Sequence, residues 1–373
     1  MIRTLLCLLI VGSISQLPAQ ESDFFNPGNR FSFGTDEKRT ASISSGDVDG
    51  DGDMDIIIAN GRHWPDQNVV FLNSGSGVFT VSYPLGFFKS TTYAAEVGDL
   101  DGDGDLDIAT GNDNAPNRLY MNQGDGQFEE AGTFGALYSP TRNLTIGDID
   151  GDGDLDLLIT NRGAQNEICL NDGSGGFDRV ITFGADDDST IDVELFDIDQ
   201  DGDRDLILAN RDGQQNMVYL NDDMDFSQGI PFGTGSDETR AVAIGDFDRD
   251  GHYDILAGNI GEPNRLYFGD SQLSYQRSVV LDTLPNRTFS LAVGDYDQDG
   301  DLDIVVGNSG EVNCVYRNTG EGVSFQRIPL SEYEYSTYDI QLVDLNNDQF
   351  LDIAEVNSGA QNLYYLNIIP RRN

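Results

Sequence analysis

The sequence predicts an all-β fold: a seven-bladed β-propeller with four antiparallel strands per blade, the last blade closed by the N-terminal strand. Three observations predict it. First, an acidic motif recurs seven times. It reads GDVDGDGDMD at 46–55, GDLDGDGDLD at 98–107, GDIDGDGDLD at 147–156, FDIDQDGDRD at 196–205, GDFDRDGHYD at 245–254, GDYDQDGDLD at 294–303 and VDLNNDQFLD at 343–352. The first step between copies is 52 residues and the next five are 49 each. A fixed period of about 40–50 residues marks a propeller-type array. Second, strand-like runs fall in register within every repeat. Third, the seventh repeat ends one strand short, and a spare strand-like stretch precedes the first.

The elements follow in chain order. Residues 1–19 read as a secretory signal peptide, with Arg3, an apolar run from Leu5 to Val11 and a cleavage site after Ala19. The run is too short to span a membrane, which takes about 20 apolar residues. Residues 20–373 are assigned to a single propeller, expected to be secreted, extracellular or periplasmic. Each repeat opens on a threonine seven residues before its loop: Thr40, Thr92, Thr141, Thr190, Thr239, Thr288 and Thr337. Apolar residues then alternate, as Leu144 with Ile146, which is strand periodicity. After the loop comes an unbroken apolar run, such as IIIA at 56–59 or LLIT at 157–160. Such a run predicts a strand buried on both faces. It ends in asparagine, turns, and resumes at a second asparagine as a third strand (NVVFLN, NEICLN, NCVYRN). A fourth, looser strand follows. Three extra residues in the first turn, Gly61–Gln67, explain the step of 52. The stretch at 24–40 resembles the fourth strand at 175–190, so residues near 24–34 are expected to complete blade seven. Cys169 and Cys314 fall on third strands three blades apart. A disulfide needs Cα atoms within about 7 Å, so both are expected as free, buried thiols.

Charge excludes some functions. The chain has 65 Asp and Glu against 21 Lys and Arg, a formal net charge of -44. Phosphate backbones need clustered basic residues, so no nucleic-acid partner is expected. The acid is patterned rather than diffuse. Numbered from the first aspartate, each of the first six loops carries acid at positions 1, 3, 5 and 9, with glycine at 6. Alternating carboxylates in a tight loop suit calcium, a hard cation taking six to eight oxygens at about 2.3–2.6 Å. Position 7 is acidic in five copies but is His252 and Phe350 in two others. A backbone carbonyl tolerates that variation and a carboxylate ligand would not.

This Asp-x-Asp-x-Asp-Gly-x-x-Asp loop, set between strands at this period, resembles the FG-GAP/VCBS repeats of secreted propellers and the head of integrin α subunits. The resemblance covers the mature chain. It implies calcium between the first and second strands of each blade. Carried over by position, the side-chain ligands are Asp47, Asp49, Asp51 and Asp55; Asp99, Asp101, Asp103 and Asp107; Asp148, Asp150, Asp152 and Asp156; Asp197, Asp199, Asp201 and Asp205; Asp246, Asp248, Asp250 and Asp254; and Asp295, Asp297, Asp299 and Asp303. Asp53, Asp105, Asp154, Asp203, His252 and Asp301 supply carbonyls. The seventh loop keeps Asp344, Asp348 and Asp352 but has Asn346 at position 3 and Gln349 in place of glycine. About six calcium sites are therefore expected, the seventh weak or empty. At millimolar calcium, a site with a dissociation constant of about 0.1 mM stabilises the fold by about 1.4 kcal/mol.

No nucleophile elbow, P-loop or zinc motif appears. Ligand-binding candidates lie on the face opposite the loops. They are His63 and Trp64 in the lengthened turn, Phe87 and Phe88 in the loop before the second repeat, and Arg162 and Arg211 in matching turns. The expected function is a non-catalytic binding or adhesion module for an extracellular glycan or protein, acting as a monomer with structural calcium. The alternative is a polysaccharide lyase or other glycan-active enzyme, with His63 as base and Arg62 or Arg162 neutralising charge.

Overall fold

A computed structural model describes residues 29–367 except 282, 284 and 321. The proposed signal peptide and residues 20–28 and 368–373 lie outside them. The described residues form 28 strands and no helix.

The strands group as seven four-stranded antiparallel blades, as expected. Blade one runs Lys38–Gly46, Asp55–Asn60, Val69–Leu72 and Val81–Pro84, each strand pairing with the next. Second strands are buried along their whole length in blades one to four and six. The unbroken apolar runs therefore mark strands packed on both faces by neighbouring blades. Fourth strands form the exposed perimeter. First strands from all seven blades line a central channel.

Ring closure follows the expected clasp. Arg30–Ser32 pairs antiparallel with Leu363–Tyr365, in the register Phe31↔Tyr364, and supplies the fourth strand of blade seven. Phe33 anchors it. Its ring lies 4.7 Å from Tyr364 of blade seven and 5.0 and 6.0 Å from Phe79 and Phe71 of blade one. The two blades thus share one core cluster around Phe33. Cys169 and Cys314 are buried, and neither is in a disulfide among the described residues. Burial pushes the Cys169 thiol up to about 12, so it stays protonated and unreactive.

The recurring threonines and asparagines form a belt. Within blade one, Thr40 Oγ1 donates to Asn60 Oδ1 (2.9 Å), and the Asn60 N–H donates to Asn68 Oδ1 (2.9 Å). Asn68 Nδ2 then reaches Thr92 of blade two (3.1 Å). The chain of contacts repeats and closes where Asn362 Nδ2 donates to Thr40 (3.1 Å). The asparagines, read from sequence as hairpin braces, also stitch one blade to the next. Blade two is the exception, because Asn117 Nδ2 lacks a partner among the described residues.

One feature escaped the periodicity. Every first strand carries a register shift just after its threonine, as between Thr141 and Asn143. A bulge leaves one extra residue unpaired and re-aims its side chain. The extra residues are Ala41, Tyr93, Arg142, Ile191, Arg240, Phe289 and Tyr338, and all but Ala41 gather at one end of the channel.

Candidate functional site

The acid loops sit at the opposite end of the ring, each between a first and a second strand. The aspartate at position 9 mounts the loop. In blade three, Asp156 accepts the Ile149 N–H (3.1 Å) on one oxygen and the Asn171 N–H (2.8 Å) on the other. The same pair of bonds recurs in every blade, with Gly269 replacing the asparagine in blade five. Asn171 Nδ2 also donates to Leu100 O (2.8 Å) in the loop of the preceding blade. Burial raises these carboxyls despite the two N–H bonds, to about 6 at Asp156 and about 7 at Asp254. Sequence reasoning ranked position 9 as one ligand among equals. The structure gives it a scaffold role that needs no ion.

Positions 1, 3 and 5 shape the loop itself. Asp47 accepts the N–H groups of Asp51 (3.0 Å) and Gly52 (2.9 Å), and Asp51 accepts that of Asp53 (3.0 Å). Oxygens of Asp47, Asp49 and Asp55 lie within 4.8 Å of one another, as do those of Asp99, Asp101 and Asp107 and of Asp197, Asp199 and Asp205, whereas in blades three and five the close trios are positions 1, 3 and 5, Asp148, Asp150 and Asp152 and Asp246, Asp248 and Asp250. Two ligands of one calcium are at most about 5 Å apart, so these donor sets fit the ion. Position 7 side chains turn outward: Asp53 accepts from Asn347 (2.5 Å) and Asp301 pairs with Arg249 (2.8 Å). These side chains are thus engaged outside their own loops. Two backbone positions are left-handed rather than one. Position 6 is so in every loop, including Gln349 (φ 70°), and position 4 is so as Gly50, Gly102, Gly151, Gln200, Arg249, Gln298 and Asn347. Side chains at position 4 of loops four to seven reach the following loop, as Gln200 Nε2 does to Gly251 O (2.8 Å).

The loops are not equivalent. No Lys or Arg pairs with the acids at positions 1, 3 and 5 of loops one, two and four among the described residues. In loop six, Arg317 lies 2.7 Å from Asp297 and 3.8 Å from Asp299. It occupies a third-strand slot held elsewhere by Leu72, Met121, Leu170, Leu220, Phe268 and Leu366. Arg277 pairs with Asp248 of loop five (2.8 Å).

At the other end, a cavity of about 170 Å³ opens at the channel mouth. Its lining includes Arg62, Arg142, Arg162, Arg211 and Arg240 with His63, Tyr93, Phe289 and Tyr338. Three arginines are neutralised: Arg142 by Asp113 (2.8 Å), Arg162 by Asp212 (2.7 Å) and Arg211 by Glu238 (3.4 Å). Arg62 and Arg240 form no ion pair among the described residues. Arg62 stacks on Tyr338 at 3.9 Å, its Nε is buried without a hydrogen-bond partner, and burial pushes its guanidinium down. Burial also brings Arg240 down to about 10, against the pull of Asp192. His63 has left-handed backbone (φ 67°) and its Nδ1 meets the Tyr93 hydroxyl at 3.0 Å. Burial, with Arg62 and Arg142 nearby, pushes its imidazole below the usual 6.5, so it is neutral at pH 7. Deeper in the channel stand Glu96, Asp192, Glu194 and Asp339. Burial raises Glu194 to about 8 and Asp339 to about 6.

Of the ligand-face candidates, His63, Arg162 and Arg211 line the mouth. Trp64 is 66 % exposed with Arg39 at 5.8 Å, and Phe87 is 99 % exposed; Phe88 is covered on one side by Arg118 at 4.4 Å. These three aromatics do not line the cavity. Arg142 and Arg240 were missed, although both follow a repeat threonine and so share one register.

A family model described as FG-GAP-like repeat matches residues 47–110, 99–159, 148–208, 197–257, 250–306 and 295–354. The chain belongs to the FG-GAP-like repeat family. No curated protein matches it. Among solved structures, this FG-GAP propeller is similar to BBS1N in complex with ARL6DN, at 14 % identity and TM-score 0.59, covering 92 % of this chain and 97 % of that one. It is similar to YCF48 from Cyanidioschyzon merolae, at 10 % identity and TM-score 0.60, covering 90 % and 98 %. The extracellular domain of the putative one component system BT4673 from B. thetaiotaomicron matches at 14 % identity and TM-score 0.58, covering 90 % of this chain and 39 % of that one. At such identities the likeness concerns the fold alone. Among the described residues no helix is long and apolar enough to cross a membrane.

Proposed function

We propose that this FG-GAP propeller is a secreted, calcium-stabilised binding module that receives an extracellular glycan or protein at the end opposite its acid loops. One observation carries the reading. The loop end repeats a single arrangement committed to the backbone, whereas the mouth end gathers residues that no repeat demands, two of them cations without ion pairs. Calcium, when bound, supplies the positive charge that offsets the converging carboxylates. The chain's own role is to hold positions 1, 3, 5 and 9 in place through the N–H bonds above. In every loop the aspartate at position 9 is held by two backbone N–H groups, which suits structural ions rather than catalytic ones.

A second reading, a polysaccharide lyase, is favoured by the His63–Tyr93 pair among arginines. Proton abstraction beside a carboxylate needs a base and a neutralising cation, and both are present at the mouth. A binding screen against glycans and proteins, run beside an assay for unsaturated product, separates the two. The binding reading expects retention without product, weakened by Trp64→Ala or Arg162→Ala. Product that disappears in His63→Ala would replace it with the lyase.

A further inference from the structure

We infer that the channel mouth is an oxyanion site that takes the single carboxylate of a terminal sugar acid. The inference rests on the binding reading and names the ligand class of that same end.

Charge is the first argument. The chain as a whole is strongly acidic, with 21 basic residues against 65 acidic ones. Five arginines nevertheless converge on one small cavity. Three are neutralised by Asp113, Asp212 and Glu238, and the other two guanidiniums have no ion pair among the described residues. Buried donors are normally satisfied, and the Arg62 Nε is not. A planar carboxylate is the group that a guanidinium fork binds best, through two parallel N–H···O bonds.

The channel limits how much anion can enter. Just below the arginines stand Asp192, Glu194, Glu96 and Asp339. An anion held at the mouth would meet these acids if it moved inward. An extended polyanion would also lie across the rest of a strongly negative surface. A ligand carrying one acidic group at its end avoids both.

Size and walls favour a sugar acid over a peptide. The cavity of about 170 Å³ has the volume of about five or six waters, enough for one ring-sized residue. Tyr338, Tyr93 and Phe289 carry Arg62, Arg142 and Arg240 over their rings and so hold those guanidiniums at the mouth, while Trp64, next in sequence to His63, offers an exposed apolar face for a pyranose. Peptide recognition by strand addition needs a free sheet edge. Here the fourth strands form the perimeter, away from the mouth.

The test is calorimetric titration of the full chain in calcium with galacturonate, galactose and tri-aspartate. Galacturonate is expected to bind at least about tenfold tighter than galactose, and less tightly as salt is raised. Arg62→Gln and Arg240→Gln should each weaken it about tenfold. Arg179→Gln, at the loop end, should change nothing. Arg62 lies in a turn, so its variant carries the test if Arg240→Gln does not fold, and Arg62→Lys should recover part of the loss. Equal affinity for galacturonate and galactose, no galacturonate binding, or indifference to Arg62→Gln would overturn the site. Tri-aspartate binding as tightly would overturn the sugar acid in favour of a peptide. A neutral glycan bound regardless of Arg62 would sink the site and leave the module reading intact. Unsaturated product from a longer uronate would sink the non-catalytic reading and leave the site standing.

Discussion

The two ends of the ring differ in charge and in regularity. At the loop end every blade places an aspartate like Asp156 on the same two backbone N–H groups. At the mouth the equivalent bulge positions hold Ala41, Tyr93, Arg142, Ile191, Arg240, Phe289 and Tyr338. A residue repeated in every blade answers to the scaffold they share. A residue that varies at an equivalent position is free of that demand, and there a specific role can accumulate. On the proposed reading, stability is concentrated at one end and recognition at the other.

The largest expected effect breaks the mount. Asp156→Ala strands the N–H groups of Ile149 and Asn171 in a buried site, at a cost of about 2–4 kcal/mol. Urea unfolding should show this loss in calcium and in chelator alike. Asp152→Asn, at position 5, should lose stability only when calcium is present. Equal calcium dependence of the two variants would erase the distinction between mount and ligand.

A smaller effect probes the acids below the mouth. The folded chain holds Glu194 at about 8, against an ordinary 4.5, because it is buried. The folded state therefore keeps a proton that the unfolded state releases, so stability falls as pH rises from about 4.5 to 8. Glu194→Gln should remove that cost, gaining about 1–3 kcal/mol at pH 8 and little at pH 4.5. Arg240, Asp192 and Glu96 share the channel and set the residual slope. A variant less stable at pH 8 than the parent would contradict the account.

The smallest effect sharpens a difference within the loop end. Arg317 stands beside Asp297 and Asp299 where other blades place an apolar side chain. On the calcium reading, its cation would compete with the ion in loop six. Arg317→Leu should tighten that site several-fold, seen as one calcium gaining affinity in a titration, with little change in chelator.

Much of this was legible in the chain. The interval counted the blades, the unbroken apolar runs located strands buried on both faces, and the missing fourth strand of the seventh repeat pointed to the clasp around Phe33. Varied residues at position 7 argued for a carbonyl there rather than a side chain. Three things were not legible. The left-handed position 4 is glycine in only three loops, so no composition signal marks Gln200 or Arg249. Alternation was read from the residues nearest the loop, and the bulge beside each threonine fell outside it. The arginine mouth needs the ring itself: Arg62 and Arg240 are 178 residues apart and meet only because seven blades share one axis. The equal offset of Arg142 and Arg240 from their threonines hinted at a common level in the channel, not at a cavity.

Calcium titration of the chelated protein, followed by calorimetry and by thermal melting, tests the central claim most directly. The account predicts about six ions bound with a melting temperature that climbs as they fill, together contributing several kcal/mol. Absence of binding heat, with superimposable melting curves in calcium and in chelator, would contradict it.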